Sequence, residues 1–421
     1  MTSTTPASPS ADAAPAARPV GRALPALLLL LTVFGPISMD LYLPVLPALT
    51  AELGAATSLA QLTVTACLVG LALGQLLAGP LSDRFGRRTP LLIGVVAYVA
   101  ASVLCALSPS VEVLVLARLV QGVAGGVGLV IALAAGRDLY SGGRLIRFYG
   151  RTTVLGGLAA IVGPLLGGQL ATVTDWRGLF LCLAGIGAAI LLAIALGFGE
   201  TLPASGRTGG GFAETARDYR ALLTDRVFVA AVLVQGFTGA ALFAYLSGAT
   251  YVLQDVYGLS PQQYALAFGL NSAGFMMFGY LAGRSSERWS LRGTLLIGLV
   301  LVAAGSLGIL AAGLVQMPLI AVILSLLVMV SGVAAITPPT TTIALAHHAD
   351  IAGTASSVLG MARFAFGGAA APLVGVAGAA TMLPFGIVTT VSTVLAFAAL
   401  GLLRRHGRSR SPLVASPARA H

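Results

Sequence analysis

Apolar runs of about 20 residues recur along this chain, separated by short segments that carry nearly all of its arginines. At ~1.5 Å per residue, a helix of that length crosses the ~30 Å hydrocarbon core of a bilayer. A helix satisfies its own backbone hydrogen bonds there, where no water can. The pattern is sharpest around Gly79-Pro80-Leu81-Ser82-Asp83-Arg84-Phe85-Gly86-Arg87-Arg88, which sets charges and two glycines between the apolar runs 59–78 and 91–107. This spacing predicts a tight loop between two transmembrane helices. Its charges are mostly arginine, so the positive-inside rule puts it on the cytoplasmic face and fixes the direction of every other span.

Composition agrees. Of 421 residues, 57% are hydrophobic and 9% charged, with mean hydropathy +0.94, against roughly 25% charged in a soluble domain. Twelve spans would use ~240 positions and leave short loops and two tails, with no room for a large soluble domain. The formal charge of +10 comes from arginines scattered through loops rather than a patch interleaved with aromatics, which argues against nucleic acid. Cys67, Cys105 and Cys182 fall within apolar runs without metal-ligand spacing, so neither disulfide nor metal site is expected.

Residues 1–22 have the Ala, Pro, Ser and Thr content of a disordered cytoplasmic tail. The first span, 23–47, contains Pro36, Pro44 and Pro47, which predict kinks or an early stop. Further spans at 59–78, 91–107, 113–135, 152–173 and 179–198 complete an N-terminal bundle, 23–198. A glycine-rich, charged cytoplasmic linker, 199–226, follows. Spans at 227–253, 264–282, 294–314, 318–336, 351–376 and 382–403 form a C-terminal bundle, 227–403, before a basic cytoplasmic tail, 404–421. With both termini inside, 21 arginines are cytoplasmic and only Arg177 is outside, while Arg118 and Arg363 lie within spans. Gly279, Leu281, Arg284 and Arg288 repeat Gly79, Leu81, Arg84 and Arg88, and 371–375 echo 163–167. Parallel six-helix repeats place a substrate site at the midplane between the halves.

Two intramembrane charges stand out. Asp40 is ~10 Å from the outer end of the first span and Arg118 ~9 Å from that of the fourth, depths at which they can meet. Either they form a structural ion pair, or Asp40 is a proton site tipped between states by burial and by the arginine.

The loop 79–88 resembles the signature between helices two and three of the major facilitator superfamily. Asp40-Leu41-Tyr42-Leu43-Pro44-Val45-Leu46-Pro47 is similar to the first helix of the bicyclomycin/chloramphenicol-resistance (Bcr/CflA-type) branch of drug:proton antiporters. Ala117-Arg118-Leu119-Val120-Gln121-Gly122 resembles the superfamily's fourth-helix motif. Gly156-Gly157 and Gly163-Pro164-Leu165-Leu166-Gly167-Gly168 resemble the antiporter motif of exporters, although glycines at this spacing also serve plain helix packing. These resemblances imply an all-α membrane protein of twelve helices in two six-helix bundles. They imply proton coupling through Asp40 and Arg118, and a gate latch formed by Gly79, Asp83, Arg84, Gly86, Arg87 and Arg88. The antiporter motif would be Gly156, Gly163, Pro164, Gly167 and Gly168. A looser likeness through Tyr245, Phe268 and Asn271 suggests a cavity lined by Tyr42, Gln121, Tyr245, Asn271 and Arg363; aromatics such as Phe243, Phe275 and Phe364 could line it too, but an aromatic in a membrane helix more often serves packing. Arg363 departs from the branch, where a neutral polar residue is usual, and leaves substrate charge open.

The expected function is proton-driven export of small, partly apolar drug-like compounds by a monomer in a bacterial cell membrane. The partners are substrate, protons and lipid, and the energy source is the proton gradient, without a cofactor. An uptake symporter or facilitator on the same fold, or a transport-inactive receptor, are the alternatives. An enzyme is not expected: there is no nucleophile elbow, and the His347-His348 pair lies in a loop without further ligands. A chain without lysine also has no Walker-type phosphate loop.

Overall fold

The computed structural model describes residues 24–140, 142–203, 212–285, 290–315, 317–346, 348, 351–376 and 381–407. The tail expected at 1–22 lies outside these residues, as do Arg288, His347 and everything beyond 407.

The first crossing is a broken helix. Helix α1 (Leu24–Asp40) ends at the acid, a 3₁₀ turn spans Leu43–Val45, and α2 (Leu46–Glu52) completes it. The prolines explain the form, because Pro44 and Pro47 sit in the first turns of the segments they open, where a missing N–H costs nothing. The N-terminal half continues with α3 (Thr57–Phe85), α4 (Arg88–Ala106), α5 (Val111–Leu139), α6 (Gly142–Leu170) and α7 (Trp176–Gly197). A short helix α8 (Phe212–Thr224) precedes α9 (Arg226–Tyr251), which runs into a π turn, Val252–Val256. Then come α10 (Pro261–Ser285), α11 (Leu291–Val315), α12 (Leu319–Leu345), α13 (Ala352–Val374) and α14 (Leu383–Gly407). Counting α1 and α2 as one, eleven of these are long and apolar enough to cross a membrane; α6, 29 residues long, adds the apolar stretch Ile161–Leu170. The chain is an all-helical, multi-pass membrane protein. Its outward surface carries Leu116, Leu192, Leu196, Leu266 and Val300, each more than half exposed, as lipid contact requires.

Two expectations change. The stretch 79–85 is not loop: α3 continues through Pro80 to Phe85, and only Gly86 and Arg87 separate it from α4. The turn is made by Gly86 at φ +86°, a conformation that costs a residue with a Cβ. Part of the linker is helical as well. Asp225 caps α9 by accepting from the Val227 N–H, and its other oxygen meets His348 Nε2 at 2.9 Å. Leu222 of α8 packs with Phe228, Val358 and Leu359, which ties the linker to the C-terminal half.

The halves meet at the face opposite the α3–α4 turn. One apolar cluster there contains Leu43, Leu46 and Leu49 together with Leu246, Tyr251 and Leu253. Hydrogen bonds cross the seam from Thr50 to Tyr251 (2.7 Å), from Gln254 to the Pro44 carbonyl (2.9 Å) and from Gln262 to the Gly168 carbonyl (3.1 Å). At the arginine-rich face the clusters separate, one around Leu24, Leu28 and Phe198 and the other around Leu222 and Phe228.

Candidate functional site

Arg118 is carried into the N-terminal half by α5, which lies against α3 without side chains between them. A Cβ at Gly122 would strike the Cys67 carbonyl, and one at Gly70 the Leu119 carbonyl. So close an approach leaves the guanidinium no path outward, and Arg118 is fully buried. One nitrogen donates to the Gln121 Oε1 (2.6 Å) and the Ser38 carbonyl (3.2 Å), while Nε and the other terminal nitrogen have no acceptor. The cation lies 4.3 Å from the Tyr42 ring centroid and 5.6 Å from that of Phe180. Desolvated contacts of this kind contribute about 2 kcal/mol each, partly offsetting the cost of an unpaired buried charge. The network closes on itself: Gln121 Nε2 donates to Ser102 Oγ (2.7 Å), Ser102 to the Tyr98 carbonyl (2.8 Å), and the Tyr98 hydroxyl meets Ser38 Oγ.

Asp40 is not part of that ring, and the expected meeting with Arg118 does not occur: Arg118 forms no ion pair with Asp40 and turns instead to Ser38 and Gln121. Asp40 ends α1 at the seam, 7% exposed, and among the described residues its carboxyl accepts no hydrogen bond and joins no ion pair. It is close enough to interact electrostatically with Tyr245 and Tyr264 of the other half.

The glycines of α6 set this position. A Cβ at Gly163 would stand 3.0 Å from the Asp40 Cβ, and one at Gly167 would collide with the Leu41 carbonyl. Gly168, about 100° further round the helix, faces the other half, where a Cβ would come within 2.8 Å of Ala265 on α10. Thus α6 is gripped by both halves at the level of Asp40. Pro164 lies within the helix, while Gly156 has nothing within 4 Å of its Cβ position and takes no part in this packing.

Across the seam, Tyr245 stacks on Phe268 (5.5 Å, 16°) and accepts from Asn271 Nδ2 at 3.2 Å. Asn271 Oδ1 and the Tyr264 hydroxyl are buried without partners. The five residues expected around one cavity therefore divide. Tyr42 and Gln121 hold Arg118, Tyr245 and Asn271 face the seam near Asp40, and Arg363 stands apart on α13 against Gly239 of α9.

The α3–α4 turn is locked within its own half. Arg87, 3% exposed, donates to Asp83 (2.6 Å), Ser82 (2.6 Å) and Asp138 at the end of α5 (2.9 Å). Burial works against its charge, but the bonds to Asp138 and Asp83 outweigh it and hold the guanidinium above its usual range. Glu200, just past α7, accepts from the Arg87 and Arg88 backbone N–H groups and so caps α4. Arg88 reaches the Ala195 carbonyl (3.0 Å), and Arg84 lies over Phe85. Ser38, Tyr98, Ser102, Phe180, Asp138 and Glu200 escaped the sequence reading. Glu200 alone left a signal, as an acid directly after an apolar run.

Residues 28–372 match the family model of the Major Facilitator Superfamily. The chain is 35% identical over 375 residues to an uncharacterized MFS-type transporter, YdgK, of Bacillus subtilis, covering 89% of this chain and 93% of that one. It is 26% identical over 341 residues to the bicyclomycin resistance protein homolog of Haemophilus influenzae, covering 80% and 85%. Among solved structures it is similar to a bacterial homolog of the human lysosomal transporter Spinster, inward-facing and unoccupied, with TM-score 0.72 at 16% identity over 95% of this chain and 100% of that one; at that identity the likeness concerns the fold.

Proposed function

We propose that this chain, which belongs to the Major Facilitator Superfamily, is a proton-coupled exporter of small drug-like compounds of the Bcr/CflA type, working by alternating access. The observation that carries this reading is Asp40: a carboxyl group without a partner, at the break of the first crossing, where the halves touch. A carboxylate left there without donor or cation is costly and a neutral carboxyl much less so, and the present conformation therefore favours a proton on Asp40. Arg118, sealed two helical positions away at Ser38, is the cation that could replace the proton once α1 rearranges about its break. Substrate and proton then use the seam in turn.

The arginine bias puts both termini and the α3–α4 turn in the cytoplasm. On that orientation the joined face is the outer gate, shut, and the separate clusters flank an inward path. The arginine turn keeps its pairs inside one half, as a latch released from the other half would.

The test is a susceptibility panel in an efflux-deficient bacterial host, with and without a protonophore. Expression should raise tolerance to at least one neutral or acidic antibacterial compound, and the protonophore should abolish the gain. Tolerance that survives the protonophore, or that Asp40→Asn leaves untouched, would overturn proton coupling through this residue.

A further inference from the structure

The charge on Arg363 has no partner among the described residues. Arg363 lies about 16 Å along α13 from its first residue, deep in a crossing, and its guanidinium is charged at any ordinary pH. Among the described residues it makes no hydrogen bond and no ion pair. It is nevertheless only part-buried, so its charge is not sealed like that of Arg118. Ala365, Ala369 and Leu373 form one exposed apolar stripe of α13 at four-residue spacing; Arg363 is about 160° round the helix from Ala365 and about 20° from Ser356, which is exposed as well.

Its side is the one against α9, where a notch has been left for it. A Cβ at Gly239 would stand 2.8 Å from the Arg363 Cγ and 2.9 Å from its carbonyl oxygen, so only glycine admits the stem. One turn earlier on the same side of α9 is Gln235, 6% exposed, whose amide oxygen is buried without a donor. Side chains on a helix lean toward its N-terminus, which directs the guanidinium toward the level of Gln235. The aromatic pairs Phe243–Phe364 (5.7 Å) and Phe237–Phe366 (5.0 Å) flank it along the helix. A notch that seats the stem, a cation unpaired among the described residues and aromatic side chains beside it suit an aryl acid; the Gln235 amide oxygen, an acceptor, can serve the guanidinium but not a carboxylate.

We infer that Arg363, set in the Gly239 notch, is the charge-selecting residue of the transport site and that the favoured substrates carry an anionic group such as a carboxylate. This rests on the transport reading above and specifies its substrate class. A guanidinium offers a carboxylate two parallel N–H donors, while its fixed charge repels a lipophilic cation.

The test is equilibrium binding to the purified full-length protein, using 2-naphthoate and its cationic counterpart 2-naphthylmethylammonium. The wild type should prefer naphthoate by at least about tenfold, Arg363→Gln should abolish the preference, and Arg363→Lys should keep most of it. Equal affinities in the wild type, including no binding of either probe, overturn the inference, as does a preference that survives Arg363→Gln. Should Arg363→Gln not purify as a folded species, Gly239→Ala, which displaces the stem and keeps the charge, should weaken naphthoate binding several-fold. Unchanged affinity in that variant is equally fatal. No gradient is involved, so the two readings fail separately. A protein that selects naphthoate but moves nothing against a pH gradient refutes transport alone, while protonophore-sensitive export of the cation supports transport and refutes charge selection.

Discussion

Arg118 and Arg363 are the same residue in the same kind of place, an intramembrane helix where neither makes an ion pair among the described residues, and the protein treats them in opposite ways. Arg118 is sealed: two aromatic faces and two acceptors surround it, and no surface remains accessible. Arg363 is given a glycine notch and, among the described residues, no acceptor, and it is only part-buried. A charge enclosed at such cost belongs to the protein's own working, since nothing outside can touch it until the helices move. A charge left open is available to a ligand. Asp40, without a partner among the described residues, stands between these cases: nearly buried, yet at the seam where the halves touch.

The largest expected effect separates the arginines by what fails. Arg118→Ala should lower proton-driven transport by at least about a hundredfold, because Gln121 and Ser38 lose their donor and the cation proposed to take over from the Asp40 proton is gone. Arg118→Lys should fall between, keeping the charge without a plane to lie against both rings. Arg118→Met should fold at least as well as wild type yet stay inactive, since apolar replacement of a buried charge is often neutral or stabilising. Arg363→Gln should leave transport of a neutral compound within about threefold. Measured side by side in proteoliposomes with an imposed pH gradient, equal losses for Arg118→Ala and Arg363→Gln would erase the distinction.

Next comes Asp40→Asn, which preserves shape and removes the titrating group. Gradient-driven transport should fall at least about tenfold while substrate exchange without a gradient persists. Loss of both would make Asp40 a packing residue of the seam and leave Arg118 without its counterpart.

Much of this was legible in the sequence, and the parts that were not share a cause. Apolar runs and arginine spacing act along the chain, so the spans, the break near Pro44 and the placement of Asp40, Arg118 and Arg363 within spans could be read directly. Matching depths brought Asp40 and Arg118 together, but depth is one coordinate; the direction in which Arg118 points is settled by Tyr42 in the break of the first crossing, Phe180 on α7 and Gln121 on its own helix α5. Glycines posed the same difficulty. Gly156 and Gly167 look alike in the chain, and only packing tells which one a neighbour presses against.

That difference supplies the third prediction. Gly167→Ala puts a methyl group into the Leu41 carbonyl and should destabilise by about 1–3 kcal/mol, pushing α6 off the residues that follow Asp40 and weakening transport accordingly. Gly156→Ala meets nothing within 4 Å and should be neutral or slightly stabilising as the better helix former. Thermal unfolding of both variants in detergent decides the matter. Equal shifts would mean that the motif acts by helix flexibility rather than by close approach to α1.

The smallest expected effect probes what keeps Arg118 sealed. Tyr42 offers the cation its ring and offers Thr63 its hydroxyl, at 3.0 Å. Tyr42→Phe removes the hydroxyl and keeps the ring, so it should cost about 1 kcal/mol and leave transport near wild type. Tyr42→Leu removes the face itself and should cost about 2 kcal/mol more, with transport falling as the guanidinium loses one wall. The order of the two variants is the informative result. If Tyr42→Phe proves the more damaging in transport while stability barely changes, the hydroxyl rather than the ring matters. Tyr42 would then contact substrate, as its place in the first-helix motif suggested, and the enclosure of Arg118 would rest on Phe180 and the polar ring alone.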